Sequence, residues 1–233
     1  MTLKHFAKPA GAIAVFTAIV LAATLSSSRP VRATDDDDND RNESKVRKGF
    51  QIAPVPLNLK GKDHELVGLG SYIVNAQADC NGCHSAGPQT EFLPGGNPYF
   101  GQPAKINPAT YLGGGNDFGP FPSPDSPQKL THLFTRNLTP DKTGLPEGGH
   151  TFAEFLTIIR TGKDFDHLHP NCSTGQTDCL PRPFKGELLQ VMPWPIYKNM
   201  TDRDLRAIYE YLSAIPCIEG PEDPTNPLHN DCG

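Results

Sequence analysis

Apolar residues recur at Leu66, Leu69, Gly70, Ile73 and Val74, the i, i+3, i+4, i+7, i+8 spacing of one buried helix face. The pattern predicts a helix over residues 63–77. Gly70 within that face lowers helix propensity, so its presence implies close approach by another helix, with Tyr72 nearby as ring filler. A second helix is signalled by Thr151-Phe152-Ala153-Glu154, a capping box. Phe155, Leu156, Ile158 and Ile159 form its apolar stripe, and Gly162 stands at the C-cap. A third starts at Thr201, where Asp204 replaces the usual Glu of the box. Leu205, Ile208, Tyr209 and Leu212 make its buried face, and Pro216 ends it.

No helical period survives over residues 86–130, which are dense in Gly and Pro. This stretch is predicted as a long covering loop with one short hairpin involving His132 to Phe134. Its triple glycine, Gly113-Gly114-Gly115, lacks the Gly-Lys-Ser/Thr ending of a phosphate loop. A second loop, 163–190, holds Asp164, Asp166, His167 and His169; it reads as a solvated polar loop rather than a metal site. The 35–40 run is acidic except for Asn39, with no apolar partner. Residues 34–61 are therefore expected to be an acidic disordered linker followed by an extended segment carrying Pro54 and Pro56.

Residues 1–33 look like a secretory signal peptide. Lys4, His5 and Lys8 make a positive start, residues 10–25 are almost wholly apolar, and Val31-Arg32-Ala33 offers a cleavage site. The apolar run is shorter than the roughly 20 residues a membrane span needs. The expected organisation is a signal peptide (1–33), the linker (34–61), one domain (62–216) and a tail (217–233). The fold class is all-α with long Gly/Pro-rich loops, and the location is the periplasm, with no stable membrane span after cleavage.

Cleavage removes four cations and no acid, taking the formal net charge from −5 to −9. No basic patch is present to release counterions, so nucleic acid is excluded as a partner, and a partner with a basic docking face is expected. The mature chain keeps six cysteines, an even number suited to an oxidising compartment. Four of them, Cys172, Cys179, Cys217 and Cys232, allow three connectivities. The sequence-local pairing is Cys172–Cys179 and Cys217–Cys232.

The remaining two lie in Cys80-Asn81-Gly82-Cys83-His84. Two thiols three positions apart add to the two vinyl groups of a haem, and the adjacent imidazole ligates the iron. The motif reads as covalent attachment of one haem c, with His84 as proximal ligand. A zinc site would want a second close Cys or His pair, and a redox dithiol a βαβ context. Of the two mature methionines, Met200 precedes the N-cap Thr201 and faces Leu205 in a hydrophobic staple. Met192 sits between irregular, proline-stiffened neighbours, and its soft thioether suits ferrous iron. Met192 is the expected distal ligand, with His150, His167 and His169 as competitors that would lower the potential.

Taken in order, several motifs resemble those of the class I c-type cytochromes, in particular those serving bacterial dehydrogenases and respiratory chains. They are Gly70-Ser71-Tyr72-Ile73-Val74 before the Cys80–His84 signature, Asn137-Leu138-Thr139-Pro140-Asp141 with Thr143-Gly144, and Met192-Pro193-Trp194 before the last helix. The resemblance covers about residues 62–216. It implies a cytochrome c-like fold whose first and last helices cross, His/Met ligation and outer-sphere electron transfer. The family's usual proline before the Asn-Leu segment is replaced by Arg136, whose backbone carbonyl is expected to accept a bond from the His84 ring.

The expected function is a mono-haem electron carrier rather than an enzyme, working with a dehydrogenase, an oxidase or another cytochrome. Arg136, Trp194 and Tyr197 are candidate donors to the haem propionates. The alternatives are a peroxidase-like haem enzyme or a redox or gas sensor with a labile distal ligand. Mass spectrometry of the unreduced protein is expected to give linked peptides Cys172–Cys179 and Cys217–Cys232, and a haem peptide carrying Cys80 and Cys83 only. Alkylation of any of the first four before reduction would contradict the pairing.

Overall fold

The computed structural model describes residues 35–86, 89–123, 126–163, 165, 185–222 and 228–233. Among them the chain is helical, apart from one small hairpin. Helix α1 spans Asp35–Ile52 and α2 His64–Tyr72. A π-helical turn, Ile73–Gln77, continues α2, and the single-turn helix α3 covers Cys80–His84. Then come the antiparallel strands β1 (Phe121–Ser123) and β2 (Ser126–Thr131). The C-terminal half adds the tight turn α4 (Pro146–Gly149), α5 (Phe152–Thr161), the turn α6 (Trp194–Tyr197) and α7 (Asp202–Leu212).

Helix α2 starts where Asp63 caps it, its carboxylate accepting from the backbone N–H groups of Glu65 and Leu66 at 2.9 and 3.1 Å. Its apolar face meets α7 at a close crossing. A Cβ on Gly70 would fall 1.9 Å from the Ala207 carbonyl oxygen and 2.7 Å from Cβ of Tyr211, so only glycine fits. Around that contact Val67, Ile73, Val74, Leu205, Tyr211 and Leu212 are buried, and Phe155 and Ile159 of α5 close the core. The capping box at Thr151 and Glu154 is formed in full, and Gly162 ends α5 at φ +71.

The linker expectation for residues 34–61 is corrected. Residues 35–52 are helical, and the second half of α1 packs on α2. Backbone meets backbone there: a Cβ on Gly49 would lie 1.8 Å from the Gly68 carbonyl oxygen, and Ser71 Oγ donates to Gly49 O at 2.7 Å. Val46 is buried and Phe50 stacks on the His64 ring with centroids 4.2 Å apart. Along the sequence, acids gather at the start of α1, the end where the helix dipole favours negative charge. Beyond α1 the proline-containing segment is pinned by Asn58 N–H donating to Ala214 O at 2.8 Å.

The hairpin falls just before the place expected for it. Phe121 pairs with Thr131, and Phe134 contributes a single bridge to Asp117. Residues 217–233 form the expected Cys217–Cys232 disulfide. They borrow a core rather than making one: buried Asn230 donates to Thr139 O and Pro140 O at 3.2 and 3.1 Å. Among the described residues no helix is long and apolar enough to cross a membrane. Residues 1–33, together with Cys172, Cys179, Asp164, Asp166, His167 and His169, lie outside the described residues.

Replacing Gly70 with Ala is expected to destabilise the fold by about 1–3 kcal/mol through overpacking at the crossing. In an exposed helix interior the same change stabilises by about 1 kcal/mol. Urea unfolding decides between the two: a raised midpoint would show that the crossing is loose.

Candidate functional site

The π-helical turn at 73–77 inserts one extra residue into the end of α2, with Ala78 N–H donating to Ile73 O at 2.9 Å. Asp79 then turns the chain in a left-handed conformation, φ +48, and α3 begins. Cys80, Cys83 and His84 stand at i, i+3 and i+4 on this turn, so one face carries all three. They line a cavity of about 270 Å³ between α3, α5, the segment 188–193 and the N-terminal approach to α7. An ordered water needs only roughly 10–15 Å³ measured the same way, so the space suits a far larger guest.

Each reactive group is held in a defined state. Burial pushes the Cys80 thiol pKa up to about 12, with Asp79 and Cys83 adding to the effect. Burial also raises that of Cys83, helped by Asp79 and Glu91. Both sulfurs are free of any disulfide, and burial favours the neutral thiol at each. His84 Nδ1 lies 2.8 Å from the Arg136 carbonyl oxygen. A carbonyl only accepts, so Nδ1 carries the proton, and Nε2 keeps its lone pair for the cavity. Burial lowers the imidazole pKa, the bond to Arg136 O partly offsets this, and the Arg136 charge lowers it further. A neutral ring with a fixed tautomer is the form that binds metal.

Met192 and Met200 both line the same cavity, as do Arg136, Tyr197 and His150. Met192 follows Val191, which is left-handed at φ +64, and its N–H donates to Gln190 O at 2.6 Å. Met200 is tied from α5, with Arg160 Nη1 donating to its carbonyl at 2.8 Å and Nη2 to Asp202 at 2.6 Å. Tyr197 donates to Ala78 O at 2.9 Å; burial takes its pKa to about 12, with Cys80, Cys83 and Asp79 contributing. His150 Nδ1 bonds to Glu147 O at 2.7 Å, which leaves a second imidazole Nε2 on the wall.

Trp194 departs from expectation. Its ring fills the space over Gly162, where a Cβ would come within 2.2 Å of it, and its indole N–H donates to Leu189 O at 3.2 Å. It braces the segment before Met192 and is not among the cavity-lining residues. Sequence reasoning missed Phe118, Leu133, Phe134 and Lys163, which also line the cavity. They come from loops without periodicity, where no sequence signal separates a wall residue from a surface one.

The donor set fits a haem: two thiols on one rim, an oriented imidazole beside them, thioethers on another wall, and hydrocarbon between. Among curated proteins the chain is similar to the alcohol dehydrogenase (quinone) cytochrome c subunits of Gluconacetobacter polyoxogenes and Komagataeibacter europaeus. Each is 27% identical over 166 residues, 70% of this chain and 24% of theirs. It is also 28% identical over 149 residues to the gluconate 2-dehydrogenase cytochrome c subunit of Pantoea cypripedii, covering 63% of this chain and 22% of that one. The match thus spans about a quarter of these relatives' length. No family model matches the chain, and no solved structure does. Fold, cavity and relatives agree: this chain is similar to the cytochrome c subunits of dehydrogenases.

Proposed function

We propose that the protein is a mono-haem c-type electron carrier of the periplasm, taking single electrons from a dehydrogenase and passing them to an oxidase or another cytochrome. The observation that carries this reading is the shared rim of Cys80, Cys83 and a His84 ring oriented by the Arg136 carbonyl. When bound, the haem supplies the one-electron Fe(III)/Fe(II) couple. Cys80 and Cys83 hold it covalently, so it is not lost between encounters. His84 Nε2 is the proximal ligand, and the Arg136 carbonyl keeps that ring from rotating. Met192 is the distal ligand, whose thioether raises the potential relative to a second imidazole. The wall is largely hydrocarbon, which limits the water around the haem.

The relatives named above support a dehydrogenase as donor. His150 on the cavity wall is the specific competitor of Met192. A His84/His150 pair would keep the carrier function at lower potential.

Met192→Ala is expected to leave the haem attached, abolish the far-red Met–iron charge-transfer band, lower the midpoint potential and open the iron to small ligands. Met200→Ala and His150→Ala are expected to keep the parent's low-spin ferric spectrum. A high-spin Met200 variant would move the ligand assignment to Met200. A high-spin parent would replace the carrier with an enzyme or a sensor.

A further inference from the structure

We propose that Asn81 is a positioning residue for His84: its amide oxygen locks a strut, residues 112–115, that sets the Arg136 carbonyl against the imidazole. The inference rests on the reading of His84 as an iron ligand. Asn81 lies between the two cysteines, is buried at 6% exposure, and is not among the cavity-lining residues. Its Oδ1 accepts from the backbone N–H of Leu112 at 3.0 Å. Leu112 is fully buried and left-handed, φ +59, a conformation that leucine disfavours and that needs external restraint.

The strut returns to α3 at a second point, where Gly114 N–H donates to the His84 carbonyl at 2.7 Å. On its other side it presses on the peptide that orients the ring. A Cβ on Gly114 would come 2.5 Å from both Arg136 C and Asn137 N. Leu138 N–H donates to Leu112 O at 2.8 Å, and Gly115 N–H to Thr135 O at 2.9 Å, so the strut is bonded on both flanks of Arg136. The circuit closes when Arg136 O accepts His84 Nδ1–H. Asn81 Nδ2 is buried without a hydrogen-bond partner among the described residues. An aspartate in its place would keep the acceptor.

The bond at Nδ1 makes the ligating nitrogen more electron-rich and steadies the ferric state. Slackening it raises the potential. The test compares haem-loaded parent, Asn81→Ala and Asn81→Asp by amide exchange at Leu112 and Gly114, by NMR protection of the His84 Nδ1 proton, and by midpoint potential. In the Ala variant exchange is expected to quicken about tenfold or more, with the Nδ1 proton losing protection and the potential rising. The Asp variant, whose added carboxylate shifts the potential by its own charge, is expected to restore the slow exchange and the Nδ1 protection toward the parent. An Ala variant that only unfolds earlier, with its Nδ1 proton and potential unchanged, overturns the proposal, as does an Asp variant that restores nothing. If the Ala variant does not accumulate, the Asp variant decides alone: parent-like exchange and Nδ1 protection support the proposal, and lost protection in a folded, haem-loaded variant overturns it. Failure of the haem reading itself shows separately, in the parent's own spectrum.

Discussion

The carbonyl of Ala207 occupies the space a side chain on Gly70 would need, and this contact fixes how closely α2 and α7 approach. Everything at the site hangs from those two helices. The continuation of α2 carries Cys80, Cys83 and His84, while Met192 and Met200 lie just before α7. The crossing therefore sets the separation of the cavity's two walls before any guest enters it. Val67, Val74, Leu205 and Leu212, all but fully buried around it, keep the crossing from sliding. Hydrogen bonds reinforce the same junction: Tyr111 OH lies 2.8 Å from Tyr211 OH and donates to Asn75 Oδ1 at 2.5 Å.

Electrostatics complement that frame. Thiols held protonated and an imidazole held neutral mean that these three side chains bring no charge to the rim, while the charged side chains of Arg136 and Lys163 stand elsewhere on the wall. The nearest fixed dipole is the Arg136 carbonyl on one side of His84. In a wall of hydrocarbon such dipoles act with less screening than they would in water.

The parts of the molecule readable from sequence are those where side chains carry the information. The apolar face of α2, the capping box of α5 and the Thr201 N-cap of α7 are all side-chain patterns, and each is realised. Gly70 is legible too, because a glycine inside an apolar face weakens the helix for no gain unless a neighbour needs the space. Helix α1 is less so, since its grip on α2 joins the apolar side chains of Val46 and Phe50 to a Gly49–Gly68 backbone contact, and the latter leaves no hydropathy signal. Trp194 shows a different limit. Its indole is visibly a donor, but the acceptor, Leu189 O, is a backbone atom of a loop whose path no pattern dictates. Leu112 is a third case, because no residue type announces a leucine at φ +59.

The π-helical turn makes the interval between Gly70 and Cys80 a ruler. A helix advances about 100° per residue, so one residue gained or lost there would swing the thiols and the imidazole to another face while the crossing stayed put. Segment 89–110 is paired mainly with itself, as where Leu93 N–H donates to Lys105 O, and lines none of the cavity, so a change of length there leaves the site in place. Sequence drift in this architecture is thus tolerated in the covering loops and forbidden along the ruler. Two chains can then differ widely in length and still present the same few atoms to the same guest.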